Sequence, residues 1–194
     1  KENDIPTPNI EYVESAANSI KGLIKEGDMI ILESTSPVGT TRKIRNIFKE
    51  TNVNIEKISI AYCPERVLPG KIMHELVNND RIVGGVNKQS TDDVSKFYKT
   101  FVNGKVFSTS DKTAEMCKLA ENSFRDINIA YANELSMICD KNEIDVWELI
   151  SLANRHPRVD ILQPGTGVGG HCIAVEPWFI VSNNPNYSQI IKKA

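Results

Sequence analysis

The side chain best suited to covalent chemistry is the thiol of Cys172, which follows a run of glycines. Residues 164–172 read PGTGVGGHC, and an apolar segment comes next. Glycines allow sharp turns and let a ligand approach the backbone closely. We predict that a helix begins directly after Cys172, so that its positive end would favour the nucleophilic thiolate. The alternative is a glycine-rich turn before a half-buried cysteine.

Lys118 and Asn122 form a second candidate pair. They lie four residues apart in a segment with helical spacing, so they share one helix face. Apolar neighbours indicate that this stretch is partly buried. A lysine there could donate to an oxyanion or neutralise a developing charge. The alternative is that Lys118 extends from the helix flank into solvent.

Two carboxylates are candidates for proton transfer or positioning. Glu65 follows Pro64 at the end of a predicted strand, where it could act as a general base. Glu176 comes four residues after Cys172 and could orient a water molecule or Lys118. The alternatives are a solvated loop acid for Glu65 and an exposed acid in a first helical turn for Glu176.

Polar groups that suit a nucleotide or sugar ligand occur in two places. Thr35 could hold a water molecule or a ribose hydroxyl, or else cap a helix. Arg155 and Arg158 flank His156 in a small basic cluster that suits phosphate or sugar hydroxyls. The alternative for this cluster is pairing with the negative end of a helix.

These candidates are carried by a first half in which strands and helices alternate. Short apolar runs predict strands at 29–32, 58–62, 81–86 and 105–108, and periodic segments predict helices at 10–25, 39–49, 72–77 and 92–100. This alternation predicts βαβ units and a mostly parallel sheet. Ligands of such sheets bind beyond the carboxyl ends of the strands, where Thr35 and Glu65 lie.

The second half is predicted to be all-α. Residues 113–141 contain no proline and no glycine and keep helical periodicity, which predicts one long helix that could be shared between subunits. Shorter helices are predicted at 145–153, 174–181 and 187–193. We therefore place a domain boundary near Asp111, with residues 1–110 as an α/β domain and 111–194 as a helical domain.

Composition limits the remaining choices. The chain has 194 residues and a net charge of -2, so it should have no general attraction to nucleic acid. It contains no apolar run long enough for a membrane span. Its four cysteines show neither CxxC spacing nor a zinc-site cluster, so we expect no metal and a reducing, cytoplasmic location.

An ordered set of motifs resembles the UDP-glucose/GDP-mannose dehydrogenase family. The set comprises STSPVGT at 34–40, CPER at 63–66, DRIVGG at 80–85, Lys118 with Asn122, and GGHC at 169–172. The resemblance covers essentially the whole chain. Residues 154–159 and 171–179 are most similar to the family members that act on UDP-N-acetylmannosamine.

The resemblance implies a fold and an activity. The fold would be α/β: the second half of a Rossmann-like parallel sheet, followed by an all-α dimerisation domain with one long helix. The activity would be NAD-dependent oxidation of the C6 alcohol of a UDP-N-acetylhexosamine to the uronate, through a thiohemiacetal and a thioester on Cys172. UDP-N-acetylmannosamine is the favoured substrate. The alternatives are UDP-N-acetylglucosamine, or a non-catalytic module for nucleotide-sugar binding or dimerisation.

The resemblance also implies roles for the matching residues. Lys118 and Asn122 would stabilise the oxyanion, and Glu65 would be the general acid/base of hydrolysis. Thr35 and Glu176 would position water or Lys118.

Binding roles follow in the same way. The backbone of Arg66 and Val67 would line the sugar pocket, together with Gly169. Arg158 and Arg155 would reach the substrate across a homodimer interface built on the long helix. Ser34 and Thr35 would border the nicotinamide of NAD.

The chain also departs from the family pattern. The family's opening Rossmann half, which carries its G-x-G-x-x-G motif, is absent here, and so is the family's carboxy-terminal domain, so we expect a central piece of a longer protein with little or no activity alone. Glu176 stands where the family usually has aspartate. Pro69 stands where some relatives carry an acidic residue that contacts the cofactor.

Overall fold

The computed structural model describes residues 5–170 and 172–194, and these form two compact units. One unit is Pro8–Lys118, and the other contains Leu119–Ala194 with the described residues up to Thr7. Within the described residues, no helix combines the length and the hydropathy that a membrane span requires.

The first unit alternates helices and strands, as predicted. In chain order it contains α1 (Glu11–Ile20), β1 (Met29–Leu32), α2 (Thr40–Lys49), a 3-10 turn (Ile55–Lys57), β2 (Ser59–Tyr62), α3 (Ile72–Asn78), β3 (Arg81–Gly85), α4 (Lys88–Tyr98) and β4 (Val106–Ser110). The element types agree with the sequence prediction. The bounds differ most for α1, which ends at Ile20 and is followed by a turn that contains Gly22, and for α4, which begins at Lys88 and not at residue 92.

The four strands form one sheet in the order β1-β2-β3-β4. β1 pairs with β2, and β3 with β4, in parallel, whereas β2 and β3 are antiparallel. The connection between β2 and β3 explains the exception. Its helix α3 buries none of its seven residues, so it does not pack across the sheet as a parallel crossover helix would.

Helices cover both faces of the sheet. On one face, Ile60 of β2 packs with Ile44 and Phe48 of α2. On the other face, Ala61 of β2 packs in a cluster with Val94 of α4. Successive residues of a strand point to opposite faces, so β2 contributes to both clusters. The sheet is therefore the central layer of an α/β arrangement.

The long helix α5 spans Asp111–Lys141 and has 31 residues. It confirms the predicted helix and extends it by two residues at the amino end. The division between the two units lies within α5, after Lys118. The domain boundary near Asp111 stays a prediction.

The second unit is helical. After α5 it contains α6 (Val146–Ala153), α7 (Pro177–Asn183) and α8 (Gln189–Lys193). A small apolar core joins the end of α5 to α6 through Cys139, Val146 and Ile150. Between α6 and α7 runs the long irregular segment that carries the predicted basic cluster and the glycines.

Candidate active site

Cys172 has an exposed side chain and a free thiol. The prediction that a helix begins directly after it is wrong, because α7 begins at Pro177. Proline suits the first position of a helix, where no backbone N–H is needed, and Glu176 precedes it as the N-cap residue. Cys172 instead lies at the start of a turn that leads into α7, and in this turn its carbonyl accepts from the N–H of Glu176 at 2.9 Å.

The glycine run before Cys172 has the backbone freedom that was predicted. Gly167 and Gly170 have φ angles of 129° and 84°, which side-chain-bearing residues rarely adopt. Gly169 is exposed and outside this region of φ. His171 of the same motif lies outside the described residues.

Asn122 and Glu176 meet inside the helical unit. The Asn122 side-chain amide donates a hydrogen bond to a carboxylate oxygen of Glu176. Each residue is only 6% exposed. Glu176 is therefore not an exposed acid. It lies one turn after Cys172, and its carboxylate orients the side chain of Asn122.

Lys118 lies one helical turn before Asn122 on α5 and is half-buried, as predicted. The helix turn that carries Lys118 is held in the α/β unit by Glu115, which is fully buried. The Glu115 carboxylate accepts from the N–H of Gly39 at 2.6 Å, and from the N–H and the hydroxyl of Thr41 at 2.8 and 2.7 Å. Burial raises the pKa of Glu115 above its usual value, although these hydrogen bonds oppose the shift.

Glu65 lies three residues after β2 and has three hydrogen-bond donors around it. Its Oε1 accepts from the N–H of Arg66 at 2.6 Å and of Val67 at 2.8 Å. Its Oε2 accepts from Nη1 of Arg81 at 3.2 Å. Burial by itself would raise the pKa of the Glu65 carboxyl, but the two amides and Arg81 together lower it. Glu65 is therefore ionised at neutral pH.

This geometry bears on the predicted substrate contacts of Arg66 and Val67. Both backbone N–H groups are directed at Glu65. A sugar hydroxyl that used them would have to share them with this carboxylate. Arg66 and Val67, predicted to line the sugar pocket, and Glu65, the predicted acid/base, thus lie in one turn.

A second cysteine, Cys63, lies close to Glu65 in the chain but is fully buried. Burial raises the pKa of its thiol to about 11. Near it, the Tyr98 hydroxyl donates to Oε1 of Glu33 at 2.5 Å. A buried thiol with a raised pKa is a poor nucleophile, which leaves the exposed Cys172 as the better candidate.

Ser34 and Thr35 follow β1 at its carboxyl end, where ligands of α/β sheets bind. Ser34 is exposed and Thr35 half-buried. Thr35 does not cap α2, whose N-cap residue is Gly39. Within residues 5–170 and 172–194, neither hydroxyl has a hydrogen-bond partner. Both can therefore bond to a polar group of a bound cofactor.

Arg155 and Arg158 have exposed side chains in the segment after α6. The Asn154 side chain closes this segment by bonding the carbonyl and the N–H of Ile161 at 2.9 and 2.8 Å. On α5, Asn128 accepts from the N–H of Leu162 at 3.1 Å. The basic cluster is thus presented to solvent on a segment that side-chain amides hold in place.

Three residues that organise these groups were not among the predicted site residues: Glu115, Asn154 and Arg81. Arg81 did carry a signal, because a charged residue stood in an otherwise apolar strand. Glu115 and Asn154 stood in helical patterns, and nothing in their local sequence distinguished them from solvent-exposed polar residues.

Comparison with known proteins agrees with the resemblance. Residues 1–102 match the NAD binding domain of the UDP-glucose/GDP-mannose dehydrogenase family, and residues 112–193 match its central domain. UDP-N-acetyl-D-mannosamine dehydrogenase of Campylobacter jejuni is 56% identical over 96% of this chain and 48% of its own length. NDP-N-acetyl-D-galactosaminuronic acid dehydrogenase of Ralstonia nicotianae is 51% identical over 98% of this chain and 47% of its own length.

A solved structure, that of UDP-D-ManNAc dehydrogenase from Pyrococcus horikoshii, superimposes with a TM-score of 0.90 at 41% identity. The match covers 96% of this chain and 45% of that chain. The chain spans about half the length of the curated relatives it matches. With the motifs, the fold and both family domains in agreement, the chain belongs to the UDP-glucose/GDP-mannose dehydrogenase family.

Proposed function

We propose that this chain is the central piece of an NAD-dependent nucleotide-sugar 6-dehydrogenase. The observation that carries the proposal is the arrangement in the helical unit. An exposed, free Cys172 begins a turn that ends at Glu176, and Glu176 holds the amide of Asn122. This combines a nucleophile with an oriented hydrogen-bond donor of the kind that stabilises an oxyanion.

The proposed substrate is UDP-N-acetylmannosamine, which is oxidised at C6 to the uronate. The support is the 56% identity to the Campylobacter jejuni relative, whose name specifies this sugar. The 51% identity to the Ralstonia nicotianae relative is the reason to test the other UDP-N-acetylhexosamines as well.

The proposed cofactor is NAD, two molecules of which would in turn each accept one of the two hydrides that leave C6. Ser34 and Thr35 would hold it near the carboxyl end of β1, because their hydroxyls are available for hydrogen bonds. We assign no further cofactor contact to the described residues.

The protein side chains would supply the covalent step. The Cys172 thiolate adds to the C6 aldehyde and forms a thiohemiacetal, whose oxygen accepts hydrogen bonds from Asn122 and Lys118. Loss of the second hydride leaves a thioester on Cys172.

Hydrolysis would follow with Glu65 as the base. The ionised Glu65 carboxylate takes a proton from water while the water oxygen adds to the thioester carbonyl. The Cys172 thiolate then leaves, and the product is the uronate. Because its pKa is lowered, the Glu65 carboxyl is deprotonated at neutral pH and can therefore take up this proton.

We further propose that the protein is a homodimer that works in the cytoplasm. Phe124, Tyr131 and Ile138 are spaced by seven residues on α5 and are 66%, 52% and 49% exposed. Such an apolar stripe is typical of a helix that packs against a partner. Exposed Arg155 and Arg158 would reach the UDP-sugar of the partner subunit. The four free cysteines suit a reducing compartment.

The test uses the full-length protein and a Cys172→Ser variant. Each UDP-N-acetylhexosamine is supplied with NAD, and NADH and the uronate are measured. Wild type should release two NADH per sugar and prefer the mannosamine epimer. The variant should bind sugar yet form no uronate. A serine hydroxyl is a poorer nucleophile than a cysteine thiolate, and a serine alkoxide is a poorer leaving group in hydrolysis.

Cys117→Ser is the matched control, because Cys117 is also a free cysteine but carries no proposed role. It should keep wild-type turnover. If Cys172→Ser also turned over like wild type, covalent catalysis would be wrong, and a non-covalent dehydrogenase would become the better explanation. If wild type bound the sugars without oxidising any, a binding module would replace the enzyme.

A further inference from the structure

Arg81 is a buried cation that faces Glu65. Its side chain is 1% exposed, and Nη1 lies 3.2 Å from Oε2 of Glu65. Nη2 donates to the carbonyl of Leu76 in α3 at 3.0 Å. The guanidinium also lies over the ring of Tyr98 in α4, with Cζ 5.7 Å from the ring centroid. Three contacts, with a carboxylate, a carbonyl and an aromatic ring, therefore fix the position of this charge.

The backbone of Arg81 is equally well fixed. Its N–H donates to the carbonyl of Lys105 at 2.8 Å, and the residue pairs with Val106 in the parallel β3–β4 ladder. A guanidinium on such a strand cannot move far to follow a mobile partner. The Glu65 carboxylate, with 34% of its side chain exposed, is the part of the pair that reaches towards solvent.

A buried charge is costly unless it has a partner of opposite charge, and water screens it only weakly. The pair Arg45–Glu56 differs from this case, because the Glu56 side chain is 62% exposed and water screens its charge. The fold therefore keeps Arg81 in the interior at a cost that its pairing with Glu65 offsets. A loop carboxylate that only faced solvent would not need a buried arginine as its partner.

We propose that Arg81 is a positioning residue for Glu65: it holds the carboxylate ionised and turned to one orientation, so that Glu65 enters hydrolysis as a base. This inference rests on the proposed function, since it assigns Arg81 a part in the same reaction. Arg81 itself does not touch substrate. It acts through the carboxylate that does.

Other ionisable groups lie around the pair. Glu33 and Tyr98 bond to each other, and Cys63 is a buried thiol. The guanidinium of Arg66 reaches the carbonyl of Asp80 at 3.5 Å. The guanidinium of Arg81 is in direct contact with the Glu65 carboxylate.

The experiment measures kcat and KM against pH for full-length wild type, Arg81→Gln and Arg81→Lys, with UDP-N-acetylmannosamine and NAD. Glutamine removes the charge without leaving a buried ion, and should raise the pH of the acid limb of kcat by about one unit or more. It should also lower kcat about tenfold and change KM little. Lysine keeps the charge and should leave the limb near the wild-type pH.

Two further variants complete the comparison. Glu65→Gln should lose most of kcat, and its residual activity should show no acid limb, which assigns the limb to Glu65. Arg45→Met removes an arginine that is also paired with a carboxylate but lies elsewhere, and should match wild type. A merely structural role for Arg81 would lower the amount of folded enzyme without moving the limb.

The outcomes separate the two proposals. If wild type oxidises no UDP-N-acetylhexosamine, the proposed function fails and this inference fails with it. If wild type is active and Arg81→Gln keeps the wild-type limb and kcat, the role of Arg81 alone is overturned. If Arg81→Gln does not fold, Arg81→Lys decides. Lysine cannot reach Glu65 and the Leu76 carbonyl together, so a kcat about fivefold lower supports the inference and a wild-type kcat overturns it.

Discussion

The side-chain amide of Asn122 donates to the carboxylate of Glu176, although the two residues are 54 apart in the chain, and both side chains are buried. An amide NH₂ group has two donors. With one N–H bonded to Glu176, the other has a defined direction and remains available to an oxyanion. The contact therefore makes Glu176 a positioning residue for Asn122 in the proposed mechanism.

The first prediction concerns this contact. Glu176→Asp shortens the side chain by one methylene, so the bond to Asn122 should be lost or lengthened. We expect kcat to fall about tenfold with little change of KM, because the donor matters most in the transition state. Steady-state kinetics of the full-length protein check this.

Glu148→Asp is a suitable control, because Glu148 is exposed in the same unit. It should behave like wild type. Unchanged kcat in Glu176→Asp would show that the carboxylate does not work through Asn122.

The second prediction concerns Glu115. Glu115→Ala removes the acceptor of three hydrogen bonds, two from Thr41 and one from Gly39. We expect a loss of about 2–4 kcal/mol, at roughly 1 kcal/mol for each bond. Denaturant unfolding of the full-length protein measures it.

Glu134→Ala on the same helix is the matched control, because Glu134 is exposed. It should change stability by less than about 0.5 kcal/mol. Equal effects of the two variants would mean that Glu115 does not anchor α5.

The third prediction concerns thiol reactivity. Cys172 is exposed, whereas the buried Cys63 has a pKa raised to about 11. A thiol ionises as pH rises through its pKa, so at pH 8 only about one Cys63 in a thousand is a thiolate. Iodoacetamide should therefore label Cys172 first in the folded protein.

Peptide mapping by mass spectrometry after short exposure measures the order of labelling. In denaturant, all cysteines should react at similar rates. Labelling of Cys63 as fast as Cys172 without denaturant would contradict the buried environment described for Cys63.

The fourth prediction concerns self-association. Tyr131→Glu places a charge in the exposed apolar stripe of α5 and should shift the protein from dimer towards monomer, because burying an unpaired carboxylate is costly. Analytical ultracentrifugation over a range of concentrations measures the shift. Lys112→Glu, at an exposed position near the start of α5, should leave association unchanged. If Tyr131→Glu associates as tightly as wild type, the interface lies elsewhere.

Much of the fold could be predicted from the sequence, because its signals are local. Short runs of four to six mostly apolar residues marked the strands, and the absence of proline and glycine marked α5. The ordered motifs around Cys172, Glu65, Lys118 and Asn122 identified the family, because residue types and spacing suffice for that purpose.

Tertiary structure decided how these groups are held. The antiparallel β2–β3 pair depends on how the connecting chain packs, and Pro177 moves the start of α7 away from Cys172. The partners Arg81 and Glu65 are 16 residues apart, and Glu115 and Gly39 are 76 apart. Local sequence determines which residues can form helices, strands and reactive groups. Packing over long separations determines which buried charges and amides meet, since each must find a partner once water is excluded.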